Sequence, residues 1–408
     1  MNLKNLSFLF LIALFLLNCK KKNKDEEPQP TPSPLPVVST SAISSIGPFS
    51  AIGGGNVSSE GTSAITKVGV CWDVNPNPTT LKPNTNNGAG VGTFTSVLSG
   101  LGENVTYYVR AYATNASGTA YGNEVSFKTF PAWSLTYTNN PNYTCFAAND
   151  LKVFAGGTTG VIYSGDNGLN WVATGITIPV RTLLLVDTVL YVATTANGIY
   201  KTSNNGVSFA PVNNGLTNMN VYGMAVIGNT ILAGTPSGVF KSADNGQSWS
   251  TSSSGLSNLS VNAMAAKNNK FYAGTWGGLF VSTDFGTSWT SVSGAGTDVN
   301  SIAVNGNYVL TSTFNNGGIY SSADDGQSFT IANTGLSITG PIALTANANK
   351  VYCGSYMNSG VFMSINGGAG WTAANEGLNG MSVYGLGANS NYVFVSIFNS
   401  GIYRRSAQ

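Results

Sequence analysis

The sequence predicts an all-β chain, a seven-bladed β-propeller preceded by a small β-sandwich, and two observations carry that prediction. The first is internal repetition. A Gly-apolar-aromatic element recurs as Gly160-Val161-Ile162-Tyr163, Gly198-Ile199-Tyr200, Gly238-Val239-Phe240, Gly278-Leu279-Phe280, Gly318-Ile319-Tyr320, Gly360-Val361-Phe362 and Gly401-Ile402-Tyr403, about 40 residues apart. The clearest interval parses into four short strands, at 221–227, 230–235, 238–241 and 248–252. Four antiparallel strands per roughly 40 residues make a propeller blade. The second observation is composition. Only 8% of residues are charged, against roughly 25% on average. Gly, Asn, Ser and Thr fill the polar positions instead. Gly and Asn serve the positive-φ positions of tight turns, so the composition suits many short strands.

The chain begins with one lysine, Lys4, and an apolar run over 6–17. That run is too short for a transmembrane helix and reads as a signal peptide over residues 1–18. It ends Leu16-Leu17-Asn18-Cys19, which resembles a bacterial lipobox. The resemblance implies cleavage before Cys19 and acylation of that cysteine, with simple secretion as the alternative. Stable anchoring through acyl chains takes more than one chain. Residues 19–36 carry Pro28, Pro30, Pro32, Pro34 and Pro36 and read as an extended tether. Lys24-Asp25-Glu26-Glu27 is similar to the acidic signal that follows the lipid cysteine in surface lipoproteins of the Bacteroidetes. That implies an outer-membrane protein, lipid-anchored and displayed at the cell surface, with the periplasmic face as the other orientation.

Residues 37–130 form the predicted sandwich. Strand patterns fall at 65–72, 92–98, 106–114 and 124–129, with apolar and polar residues alternating as in half-buried antiparallel strands. The segment from Tyr107 to Asn115, with Gly69-Val70-Cys71-Trp72 before it, resembles fibronectin type III-like modules of Bacteroidetes surface proteins. The resemblance implies a spacer in which the tyrosines are core.

Residues 131–408 hold the seven repeats. Six of them continue into a second element, clearest as Ser242-Ala243-Asp244-Asn245-Gly246-Gln247-Ser248-Trp249. Near-copies start at Ser164, Thr202, Ser282, Ser322 and Ser364, with Phe209 and Phe329 replacing Trp in two. The element resembles the Asp-box, or BNR repeat, of sialidase-like, sortilin-like and photosystem-assembly-factor-like propellers. Its chemistry is structural: the Asp accepts hydrogen bonds from its own turn, and the Gly two residues later takes a positive φ. Asp166, Asp244, Asp284 and Asp324 are therefore read as structural, with Asn204 and Asn366 doing the same work. The seventh copy ends without a box. Trp133-Ser134-Leu135-Thr136-Tyr137 looks like the segment after each box, so the N-terminal strand is expected to complete the last blade and close the ring.

Aligned repeats place one residue per blade at the entrance of the central channel: Thr144, Arg181, Tyr222, Asn262, Asn300, Ile342 and Tyr384. The second-to-third loops add Trp276, Phe314, Tyr356 and Phe398. Aromatics exposed on one rim beside Asn and Arg donors suit stacking on sugar rings or anchoring of a protein partner. The competing reading is that they cover the channel mouth and touch only each other.

Several function classes are disfavoured. Histidine is absent, which removes the commonest general base and metal ligand. The four cysteines fit no metal motif, and Cys71, Cys145 and Cys353 read as small buried residues. No cofactor or metal is expected. The net charge of +2 includes a lysine cluster near the N-terminus, so the folded part has no basic field for nucleic acid. The sialidase resemblance implies three arginines converging on a carboxylate, but of the propeller's Arg181, Arg404 and Arg405 the last two are adjacent in one expected strand and so point to opposite faces. A two-carboxylate glycosidase would have to use Asp298 and Glu376, two blades apart near the candidate face. The expected function is that of a monomeric, non-catalytic binding protein for a glycan or protein ligand. Its near-neutral disc suggests affinity insensitive to salt. A glycoside hydrolase or lyase, and an envelope assembly factor, are the alternatives.

Overall fold

The computed structural model describes residues 34–138, 142–314, 318–337, 341–347, 350–356, 359–378 and 380–407. The signal peptide, Cys19 and most of the tether lie outside the described residues. Every named element is a strand.

The first unit packs two sheets. One orders β1 (Val37–Thr40), β2 (Ser50–Ser59) and β4 (Gly92–Ser99); the other orders β3 (Lys67–Asp73), β5 (Thr106–Asn115) and β6 (Gly118–Tyr121), with β7 (Val125–Lys128) on the far part of β5. The core between them gathers Ala51, Val70, Trp72, Leu98, Val109, Ala111 and Phe127. Tyr112 is fully buried, and its hydroxyl donates to the Thr85 carbonyl at 2.5 Å. The sequence patterns at 65–72, 92–98, 106–114 and 124–129 fall on β3, β4, β5 and β7. β2 carries no such pattern, because its centre is Gly53-Gly54-Gly55. A Cβ on Gly55 would stand 2.6 Å from the Ala111 Cβ of the facing sheet. The glycines let the sheets approach, and they also remove the side chains by which a strand is read.

From Ser134 to Ser406 the described residues form seven four-stranded antiparallel sheets. Their innermost strands are Tyr143–Ala148, Val180–Val186, Gly223–Ile227, Val261–Lys267, Val299–Asn305, Pro341–Asn347 and Val383–Ala388. Each neighbours the next, and the last packs on the first, so the sheets stand as seven blades of a closed ring. The second strands are buried almost throughout, as in Lys270–Thr275. The outermost strands are two to four residues long and mostly exposed. Cores form between adjacent blades. Ile199, Val212 and Leu216 of the second blade and its exit loop meet Met224, Ile231, Phe240 and Trp249 of the third. Each such side chain contributes roughly 1.5–3 kcal/mol by leaving water.

The last sheet runs Val383–Ala388, Tyr392–Ile397, Gly401–Ser406 and then β8 (Ser134–Tyr137), drawn from the start of the unit. Ile402 pairs with Tyr137, Tyr403 with Leu135 and Arg404 with Ser134. Trp133, just before β8, donates its indole N–H to the Ala374 carbonyl at 2.6 Å. This repeats the bonds from Trp249 to Val212, Trp289 to Ser252 and Trp371 to Ala332, at 2.8, 2.8 and 2.7 Å. Arg405 is buried beside it, with its guanidinium 5.5 Å from the Phe130 ring and 5.6 Å from that of Trp133. It donates to the same Ala374 carbonyl at 3.2 Å. A Trp133→Ala substitution should destabilise the propeller by on the order of 3 kcal/mol, as for other truncated core aromatics. Deleting 131–137 should lower the melting temperature further and abolish a single cooperative transition. Calorimetry reads both, and an unchanged melt of the deletion would refute closure by β8.

Candidate functional site

The geometry at the channel mouth starts from a packing rule in the second strands. One position there is always small: Gly156, Ala193, Gly234, Gly274, Ser312, Gly354 and Ser396. Into four of these notches the next blade inserts a valine. A Cβ on Gly156, Gly234, Gly274 or Gly354 would stand 2.4–2.7 Å from a Cγ of Val180, Val261, Val299 or Val383. These valines are buried, and each stands immediately before a slip in its strand's pairing.

The slipped residue is unpaired with the second strand, as in a β-bulge. It is Thr144, Arg181, Asn262, Asn300, Ile342 and Tyr384 in six blades. In the remaining blade regular pairing begins at Gly223, and the Tyr222 amide donates to Gly234 O at 2.8 Å. Bulges re-aim side chains, and here they turn Thr144, Arg181, Asn262, Asn300 and Tyr384 to the channel entrance, where Tyr222 joins them. Apart from Ile342, whose side chain lies outside the described ones, all of these line a cavity of about 680 Å³ on the ring axis. Below them the wall mixes Phe146, Leu183, Met224, Met264, Ile302 and Leu344 with Thr182, Ser301 and Thr345.

The rim is divided. Tyr356, Tyr384 and Phe398 form one stack, with ring centroids 4.4 and 4.9 Å apart. Burial and the neighbouring Tyr356 phenol push the Tyr384 hydroxyl up to about 12, so it stays a neutral donor and acceptor. Tyr356 and Phe398 are held by one clamp: the Phe398 amide donates to Ser382 O at 3.0 Å, and the Ser382 hydroxyl to Tyr356 O at 2.6 Å. Trp276 and Phe314 stand farther out, 63% and 59% exposed. Their backbones meet at Asp298, whose amide donates to Trp276 O and whose carbonyl accepts from the Phe314 amide. Across the mouth, Arg181 lies over the Tyr222 ring at 4.4 Å. The Ser312 hydroxyl donates to Asn300 Oδ1 at 2.8 Å, which orients that amide. The structure thus brings Arg181, Tyr222, Asn262, Asn300, Tyr356 and Tyr384 to one cavity. Phe398 stacks at its edge, and Trp276 and Phe314 stand outside its lining.

Neither Asp298 nor Glu376 lines the channel. Glu376 was expected near the candidate face. Instead its Oε1 lies 3.3 Å from where a Cβ on Gly47 of the sandwich would sit, in the loop beside Trp133. Asp150 accepts from the Ser390 hydroxyl. Asp325 pairs with Lys267. Among the described residues no group of His, Cys, Asp and Glu could hold a metal, and no helix is long and apolar enough to cross a membrane.

The box residues sit in the hairpins between third and fourth strands. The Ser242 hydroxyl donates to Asp244 Oδ1 at 2.7 Å and accepts from the Gly246 amide at 2.8 Å. The Ser248 amide and hydroxyl donate to the Asp244 carboxylate at 2.9 and 2.6 Å. Asp284 and Asp324 repeat the pattern with Ser288 and Ser328. In Asp166 the second arm is Asn170. Asn204 and Asn366 accept the equivalent amides at 3.1 and 2.9 Å. The residue before the Gly is also left-handed, with φ of 57–59° at Asn167, Asn205, Asn245, Phe285 and Asp325. Asn and Asp tolerate that region best. Sequence reasoning missed a second repeated signature just after the fourth strand: Asn213-Asn214-Gly215-Leu216, Ser253-Ser254-Gly255-Leu256, Asn333-Thr334-Gly335-Leu336 and Asn375-Glu376-Gly377-Leu378. Its first residue caps the third strand, as where Asn213 Oδ1 accepts the Ile199 amide at 2.7 Å. Its second accepts the next Trp amide, as Asn214 does from Trp249 at 2.8 Å. The recurrence of Gly-Leu after four of the fourth strands is the available signal.

No family model matches the chain, and no curated protein matches it. Solved structures do. The extracellular domain of BT4673 from B. thetaiotaomicron is 14% identical with a TM-score of 0.55, over 67% of this chain and 39% of that one. YCF48, solved bound to D1 peptide, is 14% identical with a TM-score of 0.54, over 68% of this chain and 97% of that one. The GH74 xyloglucanase from Xanthomonas campestris is 14% identical with a TM-score of 0.55, over 68% of this chain and 54% of that one. The match therefore spans well under two thirds of the first and third of these proteins. At such identity the likeness shows the fold: the repeat region is a β-propeller.

Two outcomes test the hairpins. Ser242→Ala leaves the buried Gly246 amide without its acceptor and should cost about 1–3 kcal/mol. The second concerns acid. The Ser248 and Ser242 bonds hold the Asp244 carboxyl down from its ordinary 3.8 to about 2, and Ser288 and Ser282 do the same for Asp284. A depressed folded value means that this stabilisation is present above pH 3.8 and is lost as the pH falls toward about 2. Asp244→Asn, the residue this chain carries at 204 and 366, keeps the amide acceptor but not the charge, so it should melt somewhat below wild type at pH 7 and converge with it on acidification. Thermal melts between pH 6 and 2 measure it, and an identical acid limb would contradict the assignment.

Proposed function

We propose that this chain is a lipoprotein, acylated at Cys19 and displayed on the outer surface of the outer membrane. Its propeller is a non-catalytic recognition module for a glycan or a protein. The carrying observation is the exposure of Trp276 and Phe314, on neighbouring blades, beside a channel mouth of stacked tyrosines and amide side chains. Large aromatics left in water on one rim are costly unless something covers them. Flat rings next to Asn and Tyr donors suit sugar rings and apolar peptide anchors alike. Tyr356, Tyr384 and Phe398 satisfy part of their apolar surface on each other, so the outer pair, Trp276 and Phe314, should hold most of the ligand's apolar face.

A hydrolase or lyase remains the alternative, since one of the propellers of like fold belongs to a xyloglucanase. The position of Glu376 against the sandwich speaks against a working pair with Asp298. Hydrolysis of a glycan, lost in both Asp298→Asn and Glu376→Gln, would favour that alternative.

The purified Cys19→Ser protein should bind a glycan on an array or a component of envelope extracts. Trp276→Ala/Phe314→Ala should weaken that binding by about tenfold or more without shifting the melt. Binding indifferent to the pair would show that another surface is used. In cells, the same Cys19→Ser change should move the protein out of the membrane fraction. Continued sedimentation with membranes would refute acylation at Cys19.

A further inference from the structure

We infer that the ligand presents an anionic group, a carboxylate borne on a sugar ring, to Arg181. This rests on the proposed glycan-binding reading of the mouth and narrows its ligand class. Among the described residues that line the channel, Arg181 alone bears a charge. No aspartate or glutamate lines the cavity with it, and neither ion pair of the described residues involves it. Its guanidinium lies 4.4 Å from the Tyr222 ring. Stacking on the ring occupies one face of the guanidinium and leaves its edge N–H groups to donate.

The setting leaves that cation uncancelled. The lining around it is polar but uncharged, with Thr182, Asn262, Asn300, Ser301 and Thr345, so no neighbouring charge offsets it. The other polar groups of the mouth, Asn262, Asn300 and the neutral Tyr384 hydroxyl, neither cancel nor repeat the charge. A planar guanidinium edge matches a carboxylate in two parallel hydrogen bonds, which a hydroxyl or ether oxygen cannot reproduce. The Arg181 backbone is the bulge beside Val180 in the Gly156 notch, and its side chain is directed by stacking on Tyr222. The expectation of salt-insensitive affinity, which followed from the average charge of the chain, gives way at this point. The disc is near neutral as a whole, but its mouth is not.

The test compares two ligands with the same rings. Tetragalacturonate carries carboxylates, and its methyl ester carries none. By calorimetry at low salt the Cys19→Ser protein should bind the acid form about tenfold or more tightly than the ester. That ratio should shrink when the salt is raised, and it should collapse toward one in Arg181→Gln. Arg181→Lys should keep part of it, as a cation without the planar fork. Tyr384→Ala should weaken both forms alike and leave the ratio unchanged. Equal binding of acid and ester, a ratio that survives Arg181→Gln, or no binding of either form overturns the inference. Equal binding that still falls in Trp276→Ala/Phe314→Ala would leave the glycan-binding face standing without its anionic preference. Preference for an acidic peptide over both sugars would overturn the sugar ring and retain the cation.

Discussion

The mouth depends on one steric fit, a valine at the start of an inner strand pressed against a glycine in the blade before it. It is made in four blades, and the equivalent positions of the others hold the small residues Ala193, Ser312 and Ser396. The fit sets how closely neighbouring sheets approach. It also fixes where the inner strand slips its register, and so which residue turns to the axis. A bulge in isolation would be a local irregularity. Six at equivalent positions, joined by Tyr222 in the blade without a bulge, make a ring whose backbone repeats and whose chemistry varies. That separation lets one repeat carry Thr, Arg, Tyr and Asn at equivalent positions without disturbing the cores between blades.

The outer hairpins apply the same economy to polar groups. Each closes a turn of two left-handed residues with one serine or threonine hydroxyl and one carboxylate or amide. Asn204 and Asn366 show that the geometry requires an acceptor and not a charge. This explains how a chain so poor in ionic residues holds its turns: hydroxyls and amides do the work that ion pairs do elsewhere. It also concentrates attention on the few charges that are not absorbed in this way. Arg405 is used inside the ring closure and Arg404 packs on Tyr392, which leaves Arg181 facing the channel.

The repeat was legible in the sequence because its signature is made of residue types with one backbone role each, glycine at the turn and tryptophan at the blade contact. The missing box of the last repeat, set beside Trp133 and the strand after it, was enough to read the closing strand. Two features were not legible. β2 has three consecutive glycines at its centre, so the alternation that marks a strand is blank where the sheets come closest. The bulges leave no trace in residue type, since Arg181, Asn262 and Tyr384 share nothing but position. Their place in the repeat could be aligned, but that they leave the sheet pairing could not. Glu376 was misread for a related reason. Connectivity assigns its loop to a face, while its side chain lies against Gly47 of the sandwich.

The closing strand has a mechanical consequence. β8 enters the ring at Ser134, opposite Arg404, and ends at Tyr137, opposite Ile402, next to the loop that carries Phe398. The upstream chain therefore joins the ring on the side away from the mouth. A ligand held at the mouth and a restraint on the upstream chain would pull β8 and its partner strand past each other along their length. Under such shear the pairs of a short strand share the load and yield together, whereas a transverse pull would unzip them one by one. Trp133 and Arg405 stand where the tension arrives first, so the clasp of the ring is also its strain relief.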